Sequence, residues 1–293
     1  MRHFIMGLLT ASCLTGAAHG QIGPDHPLYH VAVHPEPPLS PPAKALSPLA
    51  ARQGQTAINV DYSCYLFGLK IVSSQFRVWY DDDSYEVFTR TRSAGLGALA
   101  TKLNTWSMSE GRYDENGMYP ISVIQQNTDK KNRRVNMDYD YTARDVDVVI
   151  IPRNGSQGIP PTPGEEKFEA DDVLSAMLNL AMRGHALNTD FCTGGIKVFD
   201  SKQHYRLRMD RQESKTVTFD GVDYDGYRCH IYYEPINGFD PEDLPDAEQV
   251  ETPLKLDVIN REDLGLYVPV RFTYKISAFS AVIKAKGIEV VAG

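Results

Sequence analysis

From Ala57 to the C-terminus, apolar residues recur at every second position in one segment after another, and this alternation restricts the fold more than any other feature. Ile58, Val60, Tyr62, Cys64 and Leu66 alternate with mostly smaller or polar neighbours. Phe76, Val78 and Tyr80 lead into the polar run Asp81-Asp82-Asp83-Ser84, and Tyr85, Val87 and Thr89 follow it, which predicts a hairpin. The same period runs through Val135–Tyr141, Tyr205–Met209, Tyr227–Glu234, Leu254–Ile259, Val268–Ile276 and Phe279–Ile283. One apolar and one polar face per strand predicts antiparallel sheet with water on one side.

Two stretches break the pattern. Ser93–Ser107 predicts a short helix or irregular helical turn, weakened by Gly95 and Gly97. Asp171–Met182 predicts a better helix, with Asp171 as cap, Val173, Met177 and Leu180 at helical spacing, and Gly184 as stop. Helices this sparse cannot cover so many strands. The expected fold class is therefore mainly β: a single strongly curved antiparallel sheet or open barrel with one or two short helices. The Gly/Pro-rich stretch 152–164 and the acidic stretch 238–253 are read as long exposed loops, either lids or simply mobile. No internal repeat is visible, and residues 57–293 fit one β-rich domain.

Two further segments precede that domain. Arg2 and His3, the apolar run Phe4–Leu14, and the small residues to Gly20 have the layout of a secretory signal peptide, 1–20, cleaved after Gly20. The run is too short to span a bilayer, and Thr10-Ala11-Ser12-Cys13 is a poor lipoprotein signal. A mature chain without a transmembrane segment is expected. Residues 21–56 hold eight prolines and few large apolar side chains, which predicts a disordered leader. Its His26, His30 and His34 would share a helix face, but the prolines resist that helix, so no metal site is expected.

The net charge of −8 becomes one unit more negative when residues 1–20, with Arg2 and no acid, are removed. Such a chain repels phosphate backbones, and the short run Lys130, Lys131, Arg133, Arg134 does not offset this. Nucleic acid is excluded as a partner. Cys192 and Cys229 each fall in a strand-like segment and are the expected disulfide in an oxidising compartment. Cys64 is then left over as a small, buried apolar residue, without a neighbouring His or a CxxC to activate it.

The catalytic inventory of the domain is thin. His185, His204 and His230 show no ligand spacing for zinc, and no cofactor motif is present. His204 and His230 are placed on the polar phase of their strands, as a surface pair. Gly155-Ser156-Gln157-Gly158 lacks the flanking elements of a nucleophile elbow. Asp138 with Asp140, and Asp145 with Asp147, face water on alternating positions. Tyrosine is abundant, with Tyr62, Tyr65, Tyr80, Tyr85, Tyr139, Tyr141, Tyr227, Tyr232, Tyr233 and Tyr274 on predicted strands. They either fill a core or line a concavity for a lipid-like or glycan ligand.

The order of segments resembles the DUF3108 family of exported bacterial proteins of unknown function. The resemblance rests on YSCYLFGLKIVSSQFRVWYDDDSYEVFTRTRSAGLGALATKLNTWSMSEGRYDENGMYPISV, RRVNMDYD and the helix DDVLSAMLNLAMRG, with Asp172, Leu174 and Ser175 in an Asp-x-Leu-Ser pattern. FCTGGIKVFDSKQHYRLRM, YRCHIYYEPINGF and LGLYVPVRFTYKISAFSAVIKAKGI complete it. It implies a periplasmic location and brings no catalytic residues. The expectation is a non-catalytic envelope protein binding a lipid-like or glycan ligand in its curved sheet. The alternative is a protein-binding scaffold, and a third reading is a hydrolase with a dispersed site around His204 or His230.

Overall fold

The computed structural model describes residues 37–128, 132–153, 156–276 and 279–293. The expected signal peptide with Cys13, the leader histidines, and Lys130 and Lys131 lie outside the described residues. Thirteen strands form one antiparallel sheet: β1 (Thr56–Leu66), β2 (Leu69–Tyr80), β3 (Ser84–Ser93), β4 (Asn104–Asp114), β5 (Gly117–Asn127), β6 (Arg134–Asp140), β7 (Asp145–Ile151), β8 (Gly195–Phe199), β9 (His204–Phe219), β10 (Val222–Asn237), β11 (Leu254–Arg261), β12 (Leu266–Ile276) and β13 (Phe279–Ala292). Their order is β7-β6-β5-β4-β3-β2-β1-β13-β12-β11-β10-β9-β8. The chain is thus two meanders joined in the middle by pairing of β1 with β13, from Thr56 opposite Ala292 to Leu66 opposite Ala281.

Among the described residues five short α-helices accompany the sheet: α1 (Ala43–Leu46), α2 (Gly97–Ala100), α3 (Gly164–Phe168), α4 (Val173–Met182) and α5 (Ala247–Glu251). A twisted sheet this wide curls. It curls around α4, which touches β3, β4 and β5 on one side and β8 and β12 on the other. Nine of the ten α4 residues are buried. The sheet does not close into a barrel. At the edge of β8, Asp171 donates its N–H to Lys197 O and accepts from Phe199 N (3.0 and 2.9 Å), while α3 packs on β7. Residues 164–171 thereby cover both edges that would otherwise template further pairing.

The helix expected at 93–107 is confined to α2, and Asn104–Ser107 belong to β4. The cap of α4 is Asp172, not Asp171, and Gly184 follows the helix at φ 78°. The disordered leader does not extend through 37–56. Ala45 and Leu49 are buried against Ala57, Trp79, Phe88 and Trp106 on the convex face of the sheet. Trp79 Nε1 donates to Ala50 O (3.0 Å), Trp106 Nε1 to Leu39 O (3.2 Å) and Arg77 Nη1 to Ser47 O (2.7 Å). The two long loops also hold each other. Ile159 N bonds Phe239 O, Gly238 N bonds Pro160 O, and Lys202 and Ser156 both bond the Asp240 carboxylate.

Candidate functional site

The inner face of the sheet meets α4 in two chemically different zones. At the helix N-terminus the zone is polar. Asp172 caps the helix, accepting from Leu174 N (2.8 Å) and Ser175 N (3.2 Å) on Oδ1. Its Oδ2 accepts from the Ser175 and Ser109 hydroxyls, the latter at 2.8 Å, and Ser175 Oγ is 2.6 Å from Tyr85 Oη. Gly111 makes the approach possible, because a Cβ there would stand 2.5 Å from Tyr85 Oη. Burial raises the pKa of Asp172, and the four donors counter it. This network pins the helix to β3 and β4.

Asp171 is different. Its carboxyl is pushed up to about 7, chiefly by burial and further by Asp172, with the Asn179 amide (2.9 Å) and Arg183 opposing. The folded state therefore holds an extra proton between the unfolded carboxyl range near 4 and about 7. Its contribution to stability is complete below that window and is lost as pH rises through 7. Acidification from pH 8 to pH 5.5 is expected to raise the melting temperature. Asp171→Asn should flatten that part of the profile and exceed the parent at pH 8 by on the order of 2 kcal/mol. Thermal melts at both pH values check this; parallel profiles for the two proteins would contradict it.

Towards the middle of α4 the zone is almost entirely apolar. A cavity of about 50 Å³ lies between the helix and strands of both meanders, bounded by Val60, Phe76, Met177, Ala181, Met209 and Phe272 among others. At the far end, Arg183 donates to Asn179 Oδ1, Thr193 O and Gly195 O (2.9, 2.7 and 3.1 Å).

The residues singled out in the sequence are distributed as follows. Cys192 and Cys229 stand 5.9 Å apart between Cα atoms, as a disulfide. Cys229 is on β10, but Cys192 lies in a left-handed turn (φ 54°) before β8 rather than in a strand. Cys64 is a free thiol, half-buried, with its pKa pushed up to about 11 by burial. Asp138 faces Asp147 and Asp140 faces Asp145 across β6 and β7, all four exposed. Of the tyrosines, Tyr62, Tyr85, Tyr139, Tyr233 and Tyr274 are buried and fill the core, whereas Tyr65, Tyr80, Tyr227 and Tyr232 are half-buried and Tyr141 is exposed.

His204 and His230 are not a surface pair. His204 is 1% exposed and lies opposite Asn237, whereas His230 lies opposite Asp210, so the two are seven positions, roughly 23 Å, apart along β10. The loops 156–164 and 238–243 cover the face that alternation assigns to water. His204 Nδ1 is 3.2 Å from Glu166 Oε2, and burial lowers its pKa while Glu166 opposes this. No hydroxyl or thiol hydrogen-bonds either ring nitrogen. Among the described residues no three His, Cys, Asp or Glu gather as a metal site.

What the sequence reading missed is the network of Ser109, Tyr85 and Ser175 around Asp172. The available signal was the polar, small inward phase of β4 (Thr105, Ser107, Ser109, Gly111), which marks a strand facing something other than hydrocarbon.

No curated protein matches the chain. Among solved structures, it is similar to the crystal structure of a beta-barrel-like protein of domain of unknown function DUF1849 from Brucella abortus. That match is 10% identical, covers 83% of this chain and 100% of the other, and has a TM-score of 0.46. Residues 59–277 match the family described as protein of unknown function DUF3108, to which the chain belongs.

Proposed function

We propose that this chain is a non-catalytic envelope protein of the periplasm that works by binding, and that the space between α4 and the sheet receives a lipid-like chain. The observation that carries the reading is the apolar cavity, bounded by the helix and by strands of both meanders. At about 50 Å³ it is far smaller than the roughly 300–1,000 Å³ of a preformed small-molecule site. A hydrocarbon chain therefore enters by displacing side chains rather than by filling a vacancy. Met177 and Met209, unbranched and polarizable, are suited to such repacking. The expected signal peptide and the Cys192–Cys229 pair support an oxidising compartment.

The scaffold reading draws on one observation of its own, that α4 already occupies the concave face. Native mass spectrometry of the mature protein from its host decides between the two. The expected result is a mature N-terminus at Gln21 and a reproducible extra mass that leaves on denaturation. Ala181→Leu, which fills the cavity with hydrocarbon, is expected to lose that mass while keeping a cooperative melt. A bare parent protein would overturn the carrier reading and leave the scaffold.

A further inference from the structure

Three spans of the chain, 62–80, 87–109 and 264–288, together hold nine Lys and Arg and no Asp or Glu. The whole chain has 38 acids against 30 bases, so this is a concentrated reversal of its charge. The sheet order β12-β13-β1-β2-β3-β4 lays the three spans side by side. Seven of the nine bases are exposed: Lys70, Arg92, Lys102, Arg271, Lys275, Lys284 and Lys286. Among the described residues none of these seven is ion-paired with a carboxylate. Lys284 and Lys286 rest over the exposed side of the Tyr65 ring, at 5.9 and 5.3 Å.

The same end of the sheet carries large apolar side chains in water. Phe67 (66% exposed) and Leu69 (50%) form the β1–β2 turn, and Leu96 (54%) and Leu99 (86%) belong to the connection bearing α2. Phe67 sits at φ 52°, an uncommon conformation for an aromatic residue, and its ring is 4.5 Å from that of Phe279 at the start of β13. The α2 connection is fixed beside this turn. Ala94 N bonds Ile71 O, and Gly97 lies so close to β2 that a Cβ would fall 2.0 Å from Ile71 O.

We propose that this end of the sheet docks onto an anionic lipid surface. The protruding apolar residues lie on separate turns with lysines between and behind them. Set on separate turns rather than on one continuous face, they suit shallow insertion at the level of the headgroups. There, apolar burial and attraction to anionic lipid add, and lysine stems lie along the acyl boundary with their charges in the headgroup layer. The acidic stretch 238–253 opens at this end too, with Asp246 and Glu248 close to Tyr274 on β12, so attraction to the lipid is carried by the strip from β13 to β4, away from that flank. This surface is separate from the cavity under α4 and does not depend on what that cavity holds.

Co-sedimentation of the mature chain with vesicles tests the proposal. Vesicles of phosphatidylcholine with a quarter phosphatidylglycerol are expected to bind about tenfold more tightly than phosphatidylcholine alone, and most of that difference should vanish at about 0.5 M salt. Phe67→Ser with Leu99→Ser, and separately Lys284→Glu with Lys286→Glu, are expected to weaken binding about tenfold each, with unchanged melts because all four side chains are exposed. A Leu99→Trp reporter should shift its emission to the blue on adding anionic vesicles. Binding that ignores lipid charge, or that survives both double variants, would overturn the proposal. So would absence of vesicle binding together with tip-dependent capture of an acidic protein, which would make the tip a protein interface. None of these outcomes bears on the bound mass that tests the cavity.

Discussion

Asp172→Ala is expected to destabilise the fold by about 3–5 kcal/mol, more than loss of any exposed or half-exposed carboxylate could. The carboxylate is 1% exposed and accepts four hydrogen bonds, two from the backbone of α4 and two from hydroxyls. Losing a helix cap alone costs about 1 kcal/mol. Here the alanine also strands the buried Leu174 and Ser175 amides and leaves Ser109 Oγ only its 3.1 Å contact with Ser175 Oγ, and each stranded group costs roughly 1–3 kcal/mol. Asp172→Asn should cost less. Its Oδ1 can still cap the helix, and the Ser109 and Ser175 hydroxyls can rotate to accept from the new amide. Urea unfolding would show the midpoint falling in the order parent, Asn, Ala, with an unchanged slope. A loss below about 1 kcal/mol for the alanine variant would mean that the network does not anchor α4.

The strands were legible where burial is one-sided. In β6, Val135, Met137 and Tyr139 are buried while Asp138 and Asp140 are exposed, so the period of two is visible in the letters. It fails in β4 for a physical reason. There the inward residues are Thr105, Ser107, Ser109 and Gly111, which face the helix cap, and the outward Trp106 is buried too. A strand whose inner face is polar and whose outer face is covered has no alternation to read. The leader misleads in a related way. Proline removes ladder donors, which argues for solvated chain, but its neighbours' carbonyls remain acceptors. Two tryptophan indoles and Arg77 supply the donors from the sheet side. The position of His204 was hidden because both it and Tyr205 are buried, which happens only once loops distant in sequence cover the strand. Asp172 and Ser175 are visible only in the family's Asp-x-Leu-Ser pattern, not in the helical spacing, and their partners Tyr85 and Ser109 are 90 and 66 residues from Ser175, a distance that no local pattern spans.

Replacing Cys192 and Cys229 together by alanine is expected to cost about 3–4 kcal/mol, the chain-entropy value for a 37-residue separation. The location suggests where the loss is felt. The bridge ties the turn between α4 and β8 to β10, deep in the main core, beside Phe191, whose ring is 4.1 Å from Tyr267 and 5.8 Å from Tyr227. Arg183 is a second clamp on the same turn, through Thr193 O and Gly195 O. With both clamps holding one segment, their losses should not add. Arg183→Met in the bridge-free background is expected to cost about 1 kcal/mol more than in the parent, because the turn has then lost both clamps. Hydrogen exchange should report this as earlier opening of residues 191–198, ahead of the sheet as a whole. Thiol titration of the unfolded chain fixes the starting point. A closed bridge leaves Cys64 as the one reactive thiol of the mature chain, slow to react while folded because burial holds its pKa near 11. Three titratable thiols, with a midpoint indifferent to reductant, would show that the pair is open in the purified protein and that the turn is held without it.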